Sequence, residues 1–330
     1  MARPKVIITD FISGGLDREH KILGELADIE ALKADFEEEM VGRIEEADML
    51  LVYHTIKITR KTIDNLKHCR LIVRCGVGYD NVDGKAARAK GITLCNVPDY
   101  GTEEVADSAI AMAMALSRGV NFQNRRLQSE RNDWTHLHVM PIYRLRGRVF
   151  GIVGLGRIGT AAALRAKALG MDVVFYDPYI KDGVDKALGI RRAETLEELL
   201  KASYIVSTHC YLNDETKHIM NAKTIALMPK GSYLVNTARG GVVDVAAVAD
   251  AIGSGHLAGA GIDVLEYEPP EPENALVKAW RDPSHPAHDR VILNPHAAFY
   301  SEEGLEEMRV KGSENCRRVL LGQPPRNVVN

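Results

Sequence analysis

Short apolar runs rich in β-branched residues alternate along the chain with charged, helix-like stretches. Residues 5–8, 49–53, 71–74 and 92–95 carry such runs, and their spacing predicts parallel strands joined by helical crossovers. The rhythm restarts after Arg146, at 149–153, 173–176, 204–208, 233–236, 257–262 and 291–293, which predicts a second α/β lobe. Between the two series, 102–118 opens on Glu103-Glu104 and continues in Ala, Met and Leu, predicting a long helix buried on more than one face. Residues 121–146, which include Trp134, lack strand rhythm and read equally as an arm laid on a partner subunit or as a solvated connector. Residues 302–321 predict a final helix that returns to the first lobe. The Pro/Glu-rich residues 268–274 read as a loop.

Composition narrows the picture. A chain of 330 residues, 45% hydrophobic and 26% charged, suits two ordinary globular lobes better than one core or a disordered chain. The balance of 42 basic and 45 acidic residues gives −3, and without a long basic run it argues against a nucleic-acid groove. The longest apolar stretch, 109–116, is well short of the roughly 20 residues a membrane span needs. The N-terminus passes from Pro4 into strand-like sequence with none of the features of a secretory leader. A cytoplasmic protein is expected. The five cysteines (Cys69, Cys75, Cys95, Cys210, Cys316) are odd in number and widely spaced in apolar surroundings, which predicts reduced, buried thiols and no metal site.

Gly154, Gly156 and Gly159 lie between the apolar strand 149–153 and the helical run 160–169, the dinucleotide fingerprint of a Rossmann unit in its proper setting. Gly154 permits the tight turn, Gly156 lets the backbone approach a pyrophosphate, and Gly159 lets helix and strand pack closely. The next strand ends in Asp177, 18 residues beyond Gly159, where a carboxylate suits the adenosine ribose 2′-OH and repels a 2′-phosphate. NAD is therefore expected over NADP.

Hydride transfer to a keto acid needs a cation for the carboxylate and carbonyl, and an acid to protonate the nascent alkoxide. Arg239 follows the strand 233–236 and opens a Gly-rich turn, and guanidinium presents a fork that fits a carboxylate. His296 follows the strand 291–293, again at a carboxyl end, and imidazole exchanges protons near neutral pH. Glu268, after the strand 257–262, is placed to orient that ring, and Glu266 competes for the same role.

The block formed by Gly154 to Gly159, Asn236-Thr-Ala-Arg-Gly-Gly, Gly261-Ile-Asp, Glu268-Pro and Pro295-His resembles the D-2-hydroxyacid dehydrogenase family over essentially the whole chain. Tyr53-His-Thr-Ile, Ile72-Val-Arg, Gly78-Tyr-Asp-Asn-Val-Asp, Ala106-Asp-Ser, Phe175-Tyr-Asp-Pro-Tyr and His296-Ala-Ala-Phe-Tyr-Ser are similar to its C-terminal-binding-protein subgroup. The resemblance implies two doubly wound domains with a cleft between them. Residues 1–100 with 300–330 would form a flavodoxin-like substrate domain, and 101–299 an NAD-binding domain with a dimerisation arm at about 119–146. It implies catalysis by Arg239, Glu268 and His296. It also implies a substrate pocket of His54, Arg74, the amides of Val77 and Gly78, Arg239, His296, Phe299 and Met308. The cofactor set is Val77, Gly154, Leu155, Gly156, Arg157, Ile158, Gly159, Asp177, His209, Cys210, Asn213, Thr237, Ala238, Arg239, Asp263, His296 and Ala298. For His54 a place as a core histidine, for Arg74 a structural ion pair, and for His209, Cys210 and Asn213 simple packing stay open.

Phe299 stands where animal members of the subgroup have tryptophan, so a smaller ring lines the pocket that Tyr53, His54, Tyr300 and Met308 also shape. The Glu268 to His296 interval is longer than the family norm, leaving room for the insert 271–289 to cover the cleft. The first 40 residues do not resemble the corepressors' peptide-binding surface. Two functions therefore compete: a D-specific dehydrogenase of a small 2-keto or 2-hydroxy acid, expected as a homodimer without nucleic-acid or membrane partners, and an NAD(H)-sensing dimeric binding protein of the corepressor type. Retention of all three catalytic residue types favours the enzyme.

Overall fold

A computed structural model describes residues 3–10, 12, 14–128 and 134–330, so residues 129–133 of the expected arm lie outside the described residues. The chain divides into two compact units, Met1–Gly101 with Ser301–Asn330, and Thr102–Tyr300.

The first unit is built on a five-stranded parallel sheet: β1 (Lys5–Asp10), β2 (Asp28–Ala34), β3 (Met49–Val52), β4 (Leu71–Arg74) and β5 (Thr93–Asn96), in the order β2-β1-β3-β4-β5. Strands β3 and β4 are buried along their full length, as strands covered by helices on both faces must be. β2, which the apolar pattern misses, is an edge strand whose buried positions are interrupted by charged ones, so no continuous apolar run marks it. The helix Glu302–Leu320 packs here on helix Asp17–Leu23, pinned by the Arg309–Glu19 ion pair, whose side chains are fully buried. A buried pair of this kind is costly to break because the orphaned charge stays desolvated.

The second unit holds seven parallel strands: β6 (Val149–Val153), β7 (Asp172–Tyr176), β8 (Arg191–Arg192), β9 (Ile205–Thr208), β10 (Ser232–Asn236), β11 (Leu257–Ile262) and β12 (Val291–Leu293), in the order β12-β11-β10-β9-β6-β7-β8. The order reverses between β6 and β9, and ligands of doubly wound sheets sit at the carboxyl ends beside such a switch point. The helix Thr102–Ser117 buries Ala106, Ala109 and Ala113 in the core that also holds Ala162, Ala163 and Ala166 of the helix Arg157–Ala168. Small side chains on both helices permit that close approach. Of the segment 119–146, residues Val120–Gln128 form a further helix. The insert 271–289 contributes the helix Ala275–Arg281 and most of the helix Ala287–Arg290, whose Leu276, Val277 and Ala287 are buried in this unit's core. Those side chains give the insert a packing role within this unit.

Candidate active site

Strand register sets the site. Val153 pairs with Thr208, Thr208 with Asn236, Asn236 with Ile262, and Ile262 with Leu293, so the carboxyl ends of five adjacent strands finish level. The residues just beyond them (Gly154, His209, Thr237, Asp263 and the turn to His296) therefore emerge along one edge.

At the β6 end, Gly154 has φ 93°, and a Cβ there would come within 2.7 Å of the Cys210 backbone nitrogen. A Cβ on Gly159 would come within 2.1 Å of the Gly154 carbonyl oxygen, whereas one on Gly156 would meet nothing within 4 Å. Two glycines are thus required by backbone packing, and the middle one leaves open space for a ligand. Among the described residues no side chain caps the helix Arg157–Ala168, and no acid lies in its first turn, which leaves its amino end suited to an anion. Leu155 is buried, Arg157 is exposed and Ile158 is half-buried. Asp177 accepts the Leu155 N–H on Oδ2 (2.9 Å) and the Tyr179 N–H on Oδ1 (3.0 Å), so its carboxylate stands against the glycine turn.

Two sealed polar atoms along the same edge, His209 Nδ1 and Thr237 Oγ1, have no hydrogen-bond partner among the described residues. Such atoms are costly unless something completes them. His209 Nε2 lies 2.9 Å from Ser207 Oγ, and burial pushes the ring down to about 4, so it is neutral at pH 7. Burial pushes the Cys210 thiol up to about 11 and those of Cys69, Cys75 and Cys95 up to about 12, which keeps all four protonated and unreactive. Asn213 is exposed and its Oδ1 accepts from the Glu215 and Thr216 backbones, so that side chain shapes its own turn.

Asn236, fully buried at the end of β10, organises the Arg239 turn. Its Oδ1 accepts from the Thr208 hydroxyl (2.8 Å) and the Ala238 N–H (3.1 Å), and its Nδ2 donates to the Arg239 carbonyl (3.0 Å). Half-buried Arg239 donates through a terminal nitrogen to the Ala238 carbonyl (2.9 Å). Gly240 is needed next because a Cβ there would come within 1.9 Å of the Leu265 carbonyl carbon, in the loop that carries Glu266 and Glu268.

That loop decides between the two glutamates. Glu268 Oε2 lies 2.7 Å from His296 Nδ1, while Glu266 Oε2 lies 3.2 Å from His218 Nε2. Glu268 also accepts the Leu265 N–H (2.8 Å). Asp263, 2% exposed, ties the His296 turn to β11: its carbonyl accepts the His296 N–H (2.8 Å), and its Oδ1 accepts from Ala297 (2.9 Å) and Ala298 (3.0 Å). Burial pushes the Asp263 carboxyl up, opposed by the charge of His296 and by those two N–H bonds. The Ser108 hydroxyl donates to the Ala298 carbonyl (3.2 Å), and the Phe299 ring lies edge-on to His296 at 6.3 Å. The carboxylate, imidazole and guanidinium expected at positions 268, 296 and 239 thus all belong to the second unit.

The other expected ligands belong to the first unit. His54 is exposed, Arg74 is 7% exposed, Val77 and Gly78 are half-buried, and Met308 is buried. The Val77 carbonyl accepts from Asn96 Nδ2 (2.7 Å), which fixes the turn bearing the two amides. Sequence reasoning missed Asn236 as an organiser. A polar residue closing an otherwise apolar strand was the available signal. It also missed His218, which nothing in the sequence marks.

Residues 110–298 match the family model described as the D-isomer specific 2-hydroxyacid dehydrogenase, NAD binding domain. The chain is 34% identical over 326 residues to D-3-phosphoglycerate dehydrogenase of Methanocaldococcus jannaschii, covering 99% of this chain and 59% of that protein. It is 32% identical to C-terminal-binding protein 1 of Caenorhabditis elegans, covering 100% of this chain and 45% of that protein. The chain thus spans about half the length of these two curated relatives. Among solved structures, D-lactate dehydrogenase from Aquifex aeolicus, complexed with NAD and lactic acid, superimposes with a TM-score of 0.86 at 27% identity over 96% of both chains.

Proposed function

The chain belongs to the D-isomer specific 2-hydroxyacid dehydrogenases, and on that premise we propose that it transfers a hydride between NAD(H) and C2 of a small 2-keto or 2-hydroxy acid with D stereochemistry. The observation that carries this is the 2.7 Å His296–Glu268 pair on the same sheet edge as Arg239 and the glycine turn. Arg239 holds the substrate carboxylate and polarises the C2 carbonyl. With Nδ1 engaged by Glu268, proton exchange with the C2 oxygen falls to His296 Nε2, which donates in reduction and accepts in oxidation. Glu268 fixes the ring, and Asp263 with Ala298 fixes the turn that carries it.

Nicotinamide, when bound, supplies or takes the two electrons of the reaction. Gly154 to Gly159 and the helix end would hold its pyrophosphate, Asp177 the adenosine ribose, and His209, Cys210, Asn213 and Thr237 to Arg239 the rest of the dinucleotide. The unpartnered atoms of His209 and Thr237 and the open space at Gly156 fit that group. The Asp177 carboxylate makes it NAD in preference to NADP, because a 2′-phosphate there meets like charge. In the same reading His54, Arg74, the amides of Val77 and Gly78, Phe299 and Met308 recognise the substrate, residues 1–100 with 300–330 form the substrate domain, and 101–299 form the cofactor domain.

A homodimer through the second unit completes the proposal. Val120, Leu127, Leu137, Met140 and Tyr143 are exposed in one segment, with Trp134 at 90%, and a cavity of about 410 Å³ beside it is lined by Phe122, Val139, Met140 and Leu257. Contiguous apolar exposure of this kind marks an interface. Among the described residues no helix is long and apolar enough to cross a membrane, and the five cysteines are unpaired, which suits a cytoplasmic setting.

The test is NADH oxidation, followed at the nicotinamide absorbance, with a panel of 2-keto acids. Turnover of at least one supports the enzyme. NADH binding that drives dimerisation while every acid stays untouched supports the alternative, an NAD(H)-sensing binding protein, which similarity to C-terminal-binding protein 1 keeps in view.

A further inference from the structure

The first unit's strand order also reverses, between β1 and β3, and its own chain fills that switch point. Asp10, at the end of β1, is fully buried. Its Oδ1 accepts the Tyr53 N–H (2.9 Å) and the Thr9 hydroxyl, and its Oδ2 accepts the N–H groups of Thr55 (2.8 Å) and Ile56 (3.0 Å). From the other side Asn81 Nδ2 donates to the carbonyls of Tyr53 (3.2 Å) and Ile56 (2.8 Å). The backbone of residues 53–56 is therefore gripped by its donors and by its acceptors, with exposed His54 at its crest.

Asn81 reaches further. Its Oδ1 accepts from Arg74 Nε (3.4 Å), and Arg74 donates to the Cys75 carbonyl (3.2 Å). The guanidinium fills the space over Gly76, where a Cβ would come within 1.3 Å of it. One amide thus links the His54 loop to Arg74 and to the turn that bears the Val77 and Gly78 amides. A buried carboxylate is costly, and four donors on one carboxylate mark a site where backbone geometry is fixed at that cost.

We propose that Asp10 and Asn81 are positioning residues for substrate recognition, a clamp that presents His54 and aligns it with Arg74. The inference rests on the dehydrogenase reading and on His54 as a substrate ligand. The test is a double-mutant cycle of Asn81→Ala and His54→Ala, with kcat and KM measured for the preferred 2-keto acid and NADH affinity measured by fluorescence. Asn81→Ala should raise KM about tenfold, roughly the effect of one misplaced hydrogen bond, with kcat within about threefold and NADH affinity within about twofold. In the His54→Ala background its effect should shrink to what passes through Arg74.

Equal effects of Asn81→Ala with and without His54 would overturn the clamp while leaving the enzyme reading intact. Absence of turnover by the wild-type protein would remove the enzyme reading, and the clamp's role with it. Asp10→Ala, which removes the acceptor of all three N–H groups, supplies the second arm. Amide hydrogen exchange at Thr55 and Ile56 should quicken at least tenfold relative to the strands of the sheet. Unchanged protection there would overturn the clamp whatever the kinetics show.

Discussion

His296 and His218 both adopt left-handed backbone, with φ of 52° and 48°, and each faces a glutamate from the loop after β11. The first pair meets at 2.7 Å with side chains 20% and 29% exposed, beside the buried Asp263. The second meets at 3.2 Å with side chains 38% and 37% exposed, and its glutamate is shared with Lys217 at 3.6 Å. Identical residue types on one loop therefore differ in exposure. Screening makes the outer pair worth little, and its carboxylate is already balanced by a lysine. The inner pair, partly desolvated and short, is where a carboxylate can hold an imidazole in one tautomer and one orientation. On the proposed function the less exposed His296 is the acid–base group, and His218 ties two loops together.

The sharpest way to break that contrast is to remove the inner groups. His296→Asn and Arg239→Ala should each lower kcat/KM for keto-acid reduction by roughly a thousandfold, while NADH affinity, measured by fluorescence titration, stays within about threefold. Near-wild-type turnover by either variant would remove that residue from its role. Glu268→Gln should cost about 10- to 100-fold. Glu266→Gln, the same change two residues away, should alter kcat/KM by no more than about twofold. A loss as large as that of Glu268→Gln would erase the distinction between the pairs.

The smallest effect concerns stability. Burial holds His209 neutral down to about 4, below the ordinary 6.5, so the folded state binds fewer protons than the unfolded chain between those values. The stability it contributes is complete above pH 6.5 and is lost as pH falls toward 4. The unfolding midpoint of the cofactor-free protein should drop on acidification through that window, and His209→Asn should flatten the drop by about 2–5 °C.

How much of this was legible in the sequence follows from how each feature is encoded. Strands buried on both faces, such as β3 and β4, print continuous apolar runs, and the glycine turn prints its spacing, because packing and ligand approach act on those residues directly. The placement of Arg239, His296 and Glu268 just beyond strand ends was legible from their spacing. β2 and the two-residue β8 were not, because edge strands answer to solvent on one side. The choice between Glu266 and Glu268 needed coordinates, since alternate residues on one loop differ in direction and not in spacing. The Asp10 clamp was invisible for another reason: its partners are backbone N–H groups of residues 53–56, which every sequence possesses. The organising role of Asn236 escaped notice in the same way.

The pH dependence of kcat in both directions, measured where deuterated NADH shows hydride transfer to be rate-limiting, bears most directly on the carboxylate-backed imidazole as the proton carrier. Reduction should fade as pH rises and oxidation should fade as pH falls, with kcat lowered in both directions in Glu268→Gln. Profiles that are flat in both directions would contradict the account.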